Sequence, residues 1–320
     1  MQLLKLNLAS MKQLKVGILG SSGFVGKALT NKLIGNSNIS ELHLYTRKIT
    51  LKENNFSVIK VHQFELSIEN QYIPESLYDI DVLYYLISDC IPATSWDNAG
   101  NELKNNLLPF IGLIEKIQIG KLKKIVFTSS AGTIYGPSNK QIDEHSVKIP
   151  YSPYGIVKLT TEYYLDFFKL KYDVAFEIYR ISNIYGPDQN TKKGLGLINT
   201  LIENYISNKT TTIYGDGSIL RNYIFIEDVV NILSQTINND LNDSFTLNLA
   251  SEDNLIINDV ISIIEQVVND KLTIKYTNHR KSDNPFIALS NKKLKEKYKD
   301  IHLTSLKIGI KKTINSLLSH

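Results

Sequence analysis

Tyr154 and Lys158 stand four residues apart in the stretch Ser152-Pro153-Tyr154-Gly155-Ile156-Val157-Lys158. A phenol with an ammonium one helical turn away can serve as a general acid/base, because the positive charge favours phenolate and draws the tyrosine pKa down from about 10. Spacing alone is weak support: the chain has 18 tyrosines, and Tyr205 with Lys209 repeats the pattern. Placement is stronger. Ser152-Pro153 reads as a helix start, so Tyr154 and Lys158 fall on one helix face. The preceding apolar run, Val126-Phe127-Thr128-Ser129-Ser130, ends in hydroxyls that could bind a substrate oxygen.

A second cluster lies near the amino terminus, where Gly20-Ser21-Ser22-Gly23-Phe24-Val25-Gly26 follows a short apolar strand and opens a helix. Glycines there allow a tight turn, close approach of backbone to a pyrophosphate and tight helix–strand contact, while the helix terminus offers free N–H groups. Dinucleotide binding is the expectation. The selecting residue belongs at the end of the second strand, about 20 residues past the last glycine, where a carboxylate would bond the ribose of NAD. Leu44-Tyr45-Thr46-Arg47-Lys48 carries no carboxylate, and Arg47 with Lys48 could pair with a 2′-phosphate, so NADP is favoured over NAD.

The elements that must hold these residues alternate. Val16–Leu19, Glu41–Thr46, Val58–Phe64, Asp81–Ser88, Ile125–Ser129 and Val174–Arg180 read as buried strands, separated by helices such as Phe24–Ile34, Asn98–Gln118 and Tyr154–Lys171. That order predicts an α/β fold, a Rossmann-type doubly wound parallel sheet. In the last third, short strands at Thr210–Tyr214, Asn222–Phe225, Thr246–Leu249 and Lys271–Tyr276 lie between helices near Leu195–Ser207, Asn258–Val268 and Ser305–Leu318, which suggests a smaller C-terminal α/β substrate lobe. The expected division is an N-terminal extension at 1–12, a dinucleotide-binding domain at 13–180 interleaved with about 222–250, and a substrate lobe mainly at 181–320.

Composition narrows the class. In 320 residues, 42% hydrophobic and 21% charged, disorder and coiled coil are excluded. No uninterrupted apolar stretch is long enough to span a bilayer, and no membrane partner is expected. A net charge of +4 without basic runs argues against a nucleic-acid partner. One cysteine, Cys90, leaves no disulfide pair and fits a reducing, cytoplasmic setting. Six histidines without ligand spacing predict no metal. Leu3-Leu4-Lys5-Leu6-Asn7-Leu8 is too interrupted for a secretory signal.

Together these residues resemble the extended short-chain dehydrogenase/reductase family, in its nucleotide-sugar epimerase/reductase branch, whose familiar member is UDP-glucose 4-epimerase. The resemblance runs from Lys15 to Leu318. It includes Ile87 to Ser95, Asn106, Ser129 to Pro137, Arg180-Ile181-Ser182-Asn183-Ile184-Tyr185-Gly186-Pro187 and Gly215 to Ile224. It implies that Tyr154 is the acid/base, that Lys158 holds the nicotinamide ribose and tunes Tyr154, and that Ser130 binds the reacting oxygen. Counting back from Tyr135-Gly136 falls instead on Ala131, which leaves Thr133 as a substitute hydroxyl. Gly20, Ser22, Gly23, Phe24, Val25, Gly26, Thr46, Arg47, Glu65, Leu66, Leu86, Ser88 and Asn106 would line the dinucleotide, with Asn183, Arg221, Arg280 and Asp283 on a nucleotide-diphosphate sugar.

The implied activity is a 4-epimerase working through a 4-keto sugar. The alternative is an NADPH-dependent reductase of a 4-keto-6-deoxy sugar nucleotide, with an inactive dinucleotide-responsive binding protein a remote third. Ala131-Gly132 replaces the Asp-Glu pair of the family's dehydratases, against 4,6-dehydration. The resemblance also implies a homodimer. Arg180 is read as a structural cation, Asp228 as a cap or buttress of a helix start, Cys90 as a packing residue, and Tyr84-Tyr85 and Tyr163-Tyr164 as core or interface aromatics.

Overall fold

The computed structural model describes residues 13–48, 57–70, 72–88, 95–191, 196–279 and 286–319. The 1–12 extension, Cys90, Arg280 and Asp283 lie outside the described residues. The strands are β1 (Leu14–Leu19), β2 (Ile39–Thr46), β3 (Ile59–Gln63), β4 (Val82–Tyr85), β5 (Lys124–Ser130), β6 (Ala175–Ile181), β7 (Asn183–Tyr185), β8 (Thr211–Tyr214), β9 (Leu220–Phe225), β10 (Phe245–Leu249), β11 (Asn254–Ile256) and β12 (Ile274–Thr277). Five helices matter below: α1 (Phe24–Leu33), α2 (Ala99–Glu102), α3 (Leu108–Ile117), α4 (Ala131–Ile134) and α5 (Pro153–Tyr172).

Seven strands form one sheet in the order β10-β6-β5-β4-β1-β2-β3, every pairing parallel. Its central strands are buried almost throughout, as a sheet covered on both faces requires. The order reverses between β1 and β4, and the carboxyl ends flanking that point form the crevice where such sheets bind ligands. The Thr246–Leu249 strand, read both among the short strands of the last third and within the 222–250 segment interleaved with the dinucleotide-binding domain, forms the edge of the main sheet, its apolar side chains packing beside Tyr179 and Ile181 of β6. Beyond the main sheet, β11-β9-β7 and β12-β8 make two small sheets. Among the described residues no helix is long and apolar enough to cross a membrane.

The expected Asn98–Gln118 helix changes pitch. A π-helical turn at Leu103–Leu107 separates α2 from α3.

Candidate active site

The glycine turn joins β1 to α1. Gly20 has φ +87°, and a Cβ there would lie 3.2 Å from the Leu86 backbone. Gly23 caps α1, and its N–H donates to the Gly20 carbonyl at 3.0 Å. A Cβ on Gly26 would lie 2.2 Å from the Gly20 oxygen, so this glycine seats the helix against the turn. The N-terminus of α1 therefore opens on a groove of about 430 Å3, a size suited to a cofactor. Gly20, Ser22, Gly23 and Phe24 line it beside the N-terminus of α1. Thr46, Arg47, Glu65 and Leu66 line its outer end, Leu86 and Ser88 its inner end.

Val25 and Gly26, expected at the cofactor, do not line this groove: Val25 packs on the apolar core and Gly26 lies beneath the turn. The motif's spacing gives no sign of which residues face up and which down. Lys27, Asp188, Gln189 and Asn190 line the groove without having been foreseen. Lys27 is legible in hindsight, one residue past the motif on the first turns of α1; the others come from a loop remote in sequence. Thr46 closes its own turn by donating from Oγ1 to the Lys48 carbonyl at 3.0 Å.

At Ser88 the groove meets a second, smaller cavity of about 10 Å3, room for a single water. Tyr154, Lys158, Glu102 and Asn106 line it together with Ser88. Ser152 is the N-cap of α5, its Oγ accepting from the Gly155 N–H at 3.1 Å, and Pro153 fills the first turn. The Tyr154 hydroxyl is hydrogen-bonded to Ser88. Lys158 Nζ donates to the Thr128 carbonyl at 2.9 Å and sits 4.8 Å from the Phe127 ring centroid and 5.6 Å from that of Tyr154.

Burial governs both titrations. It pushes the Tyr154 phenol up to about 12, helped by the negative charge of Glu102 and opposed by the Ser88 hydrogen bond. Burial also draws Lys158 down to about 8, against the pull of Glu102 and Glu162. Lys158 is aimed at a backbone carbonyl rather than at the phenol, and burial sets the direction of the Tyr154 shift.

The two candidate hydroxyls differ. Ser130 ends β5 and is the N-cap of α4, partly exposed. Thr133 is buried in α4, and its Oγ1 has no hydrogen-bond partner among the described residues. Its carbonyl abuts Gly155, where a Cβ would approach to 2.5 Å, so α4 is pressed against the first turn of α5. Neither hydroxyl lines the small cavity. Ser129, one residue earlier, is structural: its Oγ donates to Glu162 at 2.6 Å.

Arg180 is the structural cation expected, since its Nε and Nη2 donate to Glu162 at 2.6–3.2 Å. Asp228 acts as a buttress, accepting from the N–H and Oγ1 of Thr304, both at 2.8 Å, just before the helix at Leu306–Leu318. Tyr84 and Tyr85 are core residues, whereas Tyr163 is exposed.

On the other side of the sheet's carboxyl edge, Asn183 of β7 and Arg221 of β9 lie on paired strands. Asn183 Nδ2 donates to the Asn222 carbonyl at 2.8 Å, and Arg221 Nη1 to the Leu220 carbonyl at 2.9 Å. Both are solvent-accessible. Glu102 was not foreseen, because a glutamate in an amphipathic stretch reads as a solvated residue.

Residues 16–250 match the model of the NAD dependent epimerase/dehydratase family. A putative UDP-glucose 4-epimerase of Methanocaldococcus jannaschii is 29% identical over 215 residues, 66% of this chain and 70% of that protein. A dTDP-4-dehydro-6-deoxyglucose reductase of Escherichia coli is 27% identical over 222 residues, 67% of this chain and 69% of that protein. The crystal structure of UDP-glucose 4-epimerase with UDP-glucose from Thermotoga maritima superposes with a TM-score of 0.85 at 25% identity, covering 96% of this chain and 99% of that one.

Proposed function

The chain belongs to the NAD dependent epimerase/dehydratase family, and on that premise we propose that it is a nucleotide-sugar 4-epimerase. The observation that carries this reading is a buried tyrosine–lysine pair whose cavity shares Ile87 and Ser88 with a glycine-lined groove of dinucleotide size. The likeness of the full chain to a UDP-glucose 4-epimerase supports the reaction class.

The groove fits a nicotinamide dinucleotide: glycines leave room where side chains would collide with backbone, and the N-terminus of α1 at the groove would offer its N–H groups to a pyrophosphate. When bound, the dinucleotide would accept and return a hydride at the sugar carbon. The positive charges of Lys158 and of a bound oxidised nicotinamide would favour phenolate at Tyr154, which then takes the proton of the sugar hydroxyl as the keto-sugar forms and gives it back when the other face is reduced. Lys158, fixed on the Thr128 carbonyl, keeps a positive charge near the phenol. Ser130 or Thr133 orients the reacting oxygen. Asn183 and Arg221, with Arg280 and Asp283 carried over from the resemblance, bind the nucleotide diphosphate, Arg221 through its guanidinium fork.

Thr46 and Arg47 favour a second reading, an NADPH-dependent reductase of a 4-keto-6-deoxy sugar nucleotide. No carboxylate stands at this position to repel a 2′-phosphate, and Arg47 lines the outer end of the groove. The similar reductase of Escherichia coli supports this alternative. A panel of UDP-, dTDP- and GDP-sugars separates the two. The epimerase gives isomerised product with no net change in nicotinamide absorbance; stoichiometric NADPH oxidation by a 4-keto sugar nucleotide without isomerisation overturns it.

The homodimer proposal draws support from an apolar stripe on α5, Ile156, Tyr163, Phe167 and Leu170, exposed on one face beside Leu103 and Leu108. A second copy is its proposed cover. Sedimentation of the purified chain reads this directly, and a monomer at micromolar concentration rejects it.

A further inference from the structure

The change of pitch between α2 and α3 inverts the ordinary arrangement of side chains. Glu102 is 1% exposed, while Leu103 and Leu108, five residues apart across the wide turn, are 47% and 50% exposed. Single π turns within α-helices recur at functional sites, and a buried carboxylate is costly unless something matches its charge. Glu102 is half matched: Oε2 accepts from Asn106 Nδ2 at 3.0 Å, and Oε1 has no hydrogen-bond partner among the described residues. The residue lines the one-water cavity shared by Tyr154 and Lys158.

The charges around Lys158 can be paired off. From its own helix come Tyr154 and Glu162, from α2 Glu102, from β4 Tyr85, and from β6 Arg180 behind Glu162. Glu162 is already engaged by two nitrogens of Arg180 and by the Ser129 hydroxyl. The ammonium of Lys158 donates to a neutral carbonyl. Among the described residues this leaves Glu102 and Lys158 as opposite charges lining one cavity, each without another charged partner.

We propose that Glu102 is a positioning residue for the acid/base pair, the counter-charge that keeps Lys158 in its ammonium form beside Tyr154. This rests on the reading of Tyr154 and Lys158 as the pair that moves the proton. Burial pulls Lys158 down to about 8 and Glu102 pulls the other way, so removing that charge releases the lysine proton at lower pH. Asn106 fixes the carboxylate from one side and leaves its second oxygen for the cavity.

The test is an NMR titration of Lys158 in the full chain after reductive 13C-methylation. Wild type is expected to titrate near pH 8 and Glu102→Gln about one unit lower, with the alkaline limb of kcat/KM on the isomerised nucleotide sugar moving the same way. An unchanged midpoint overturns the proposal, and so does a Gln variant with activity lowered equally at every pH, the mark of a structural role. Should the Gln variant not fold, Glu102→Asp decides: a carboxylate drawn back by one methylene lowers the midpoint in part, and no shift overturns the proposal. Failure of the underlying reading looks different. Wild type would then isomerise none of the sugars, whatever the lysine titration shows.

Discussion

Strand β5 is served by a buried lysine at each end, and the two live in opposite circumstances. Lys124, its first residue, is fully buried and donates to Glu177 at 3.0 Å and to the Asp240 carbonyl at 2.6 Å. Glu177 in turn accepts from Tyr179 and Asn239, both at 3.0 Å, and from Thr236. At the carboxyl end Lys158 reaches in to the Thr128 carbonyl, while Glu102 Oε1 and Thr133 Oγ1 nearby have no partner among the described residues. A polar network with every member satisfied fixes architecture. One that leaves buried oxygens unmatched costs stability and is retained where a ligand or a proton completes it.

Changes at the chemical end should remove activity and spare the fold. Tyr154→Phe is expected to lower turnover about 10²- to 10⁴-fold while dinucleotide affinity and melting temperature hardly change, because the ring stays and the hydroxyl proposed to carry the proton is lost. Steady-state kinetics with fluorescence titration of the cofactor checks this; retained turnover would put the acid/base elsewhere. At the outer end of the groove, Arg47→Glu should weaken NADP about 10- to 100-fold relative to NAD by removing a charge-assisted hydrogen bond. Equal losses for both dinucleotides would remove the 2′-phosphate role.

A smaller effect marks Lys158 by pH. With Lys158 lowered to about 8, the unfolded chain binds a proton there between roughly pH 8 and 10.5 that the folded chain has released. Stability contributed by this site therefore rises with pH across that window. Tyr154, raised to about 12, acts in the opposite sense above pH 10, where the unfolded phenol ionises first. Urea midpoints at pH 8, 9 and 10 for wild type and Lys158→Met should diverge, the variant lacking the rise. Parallel profiles would mean Lys158 is not the group that titrates.

Much of this was legible because it depends on local pattern. Apolar runs alternating with helical stretches determine a parallel sheet, and a glycine turn between strand and helix needs no tertiary context. Arg180 could be read as structural because it closes a buried strand. Other features depend on pitch and on distant chain. Glu102 looks solvated until the π turn rotates it inward, and Asp188, Gln189 and Asn190 reach the groove from a remote loop. The direction of the Tyr154 titration was also hidden, since adjacency to a lysine says nothing of where the ammonium points or how much water remains.

The most direct measurement compares Lys124→Met with Lys158→Met for unfolding free energy and turnover. Lys124→Met, which strands the buried Glu177 charge, should cost about 3–5 kcal/mol and leave the turnover of the surviving folded fraction near wild type. Lys158→Met should change the stability at neutral pH less than Lys124→Met does, because relief of the lysine's burial and loss of its attraction to Glu102 oppose each other, and should lose activity at least about 10²-fold. If instead Lys158→Met unfolds the chain and keeps its turnover per folded molecule, the carboxyl end of β5 is framework, and the acid/base assignment falls with it.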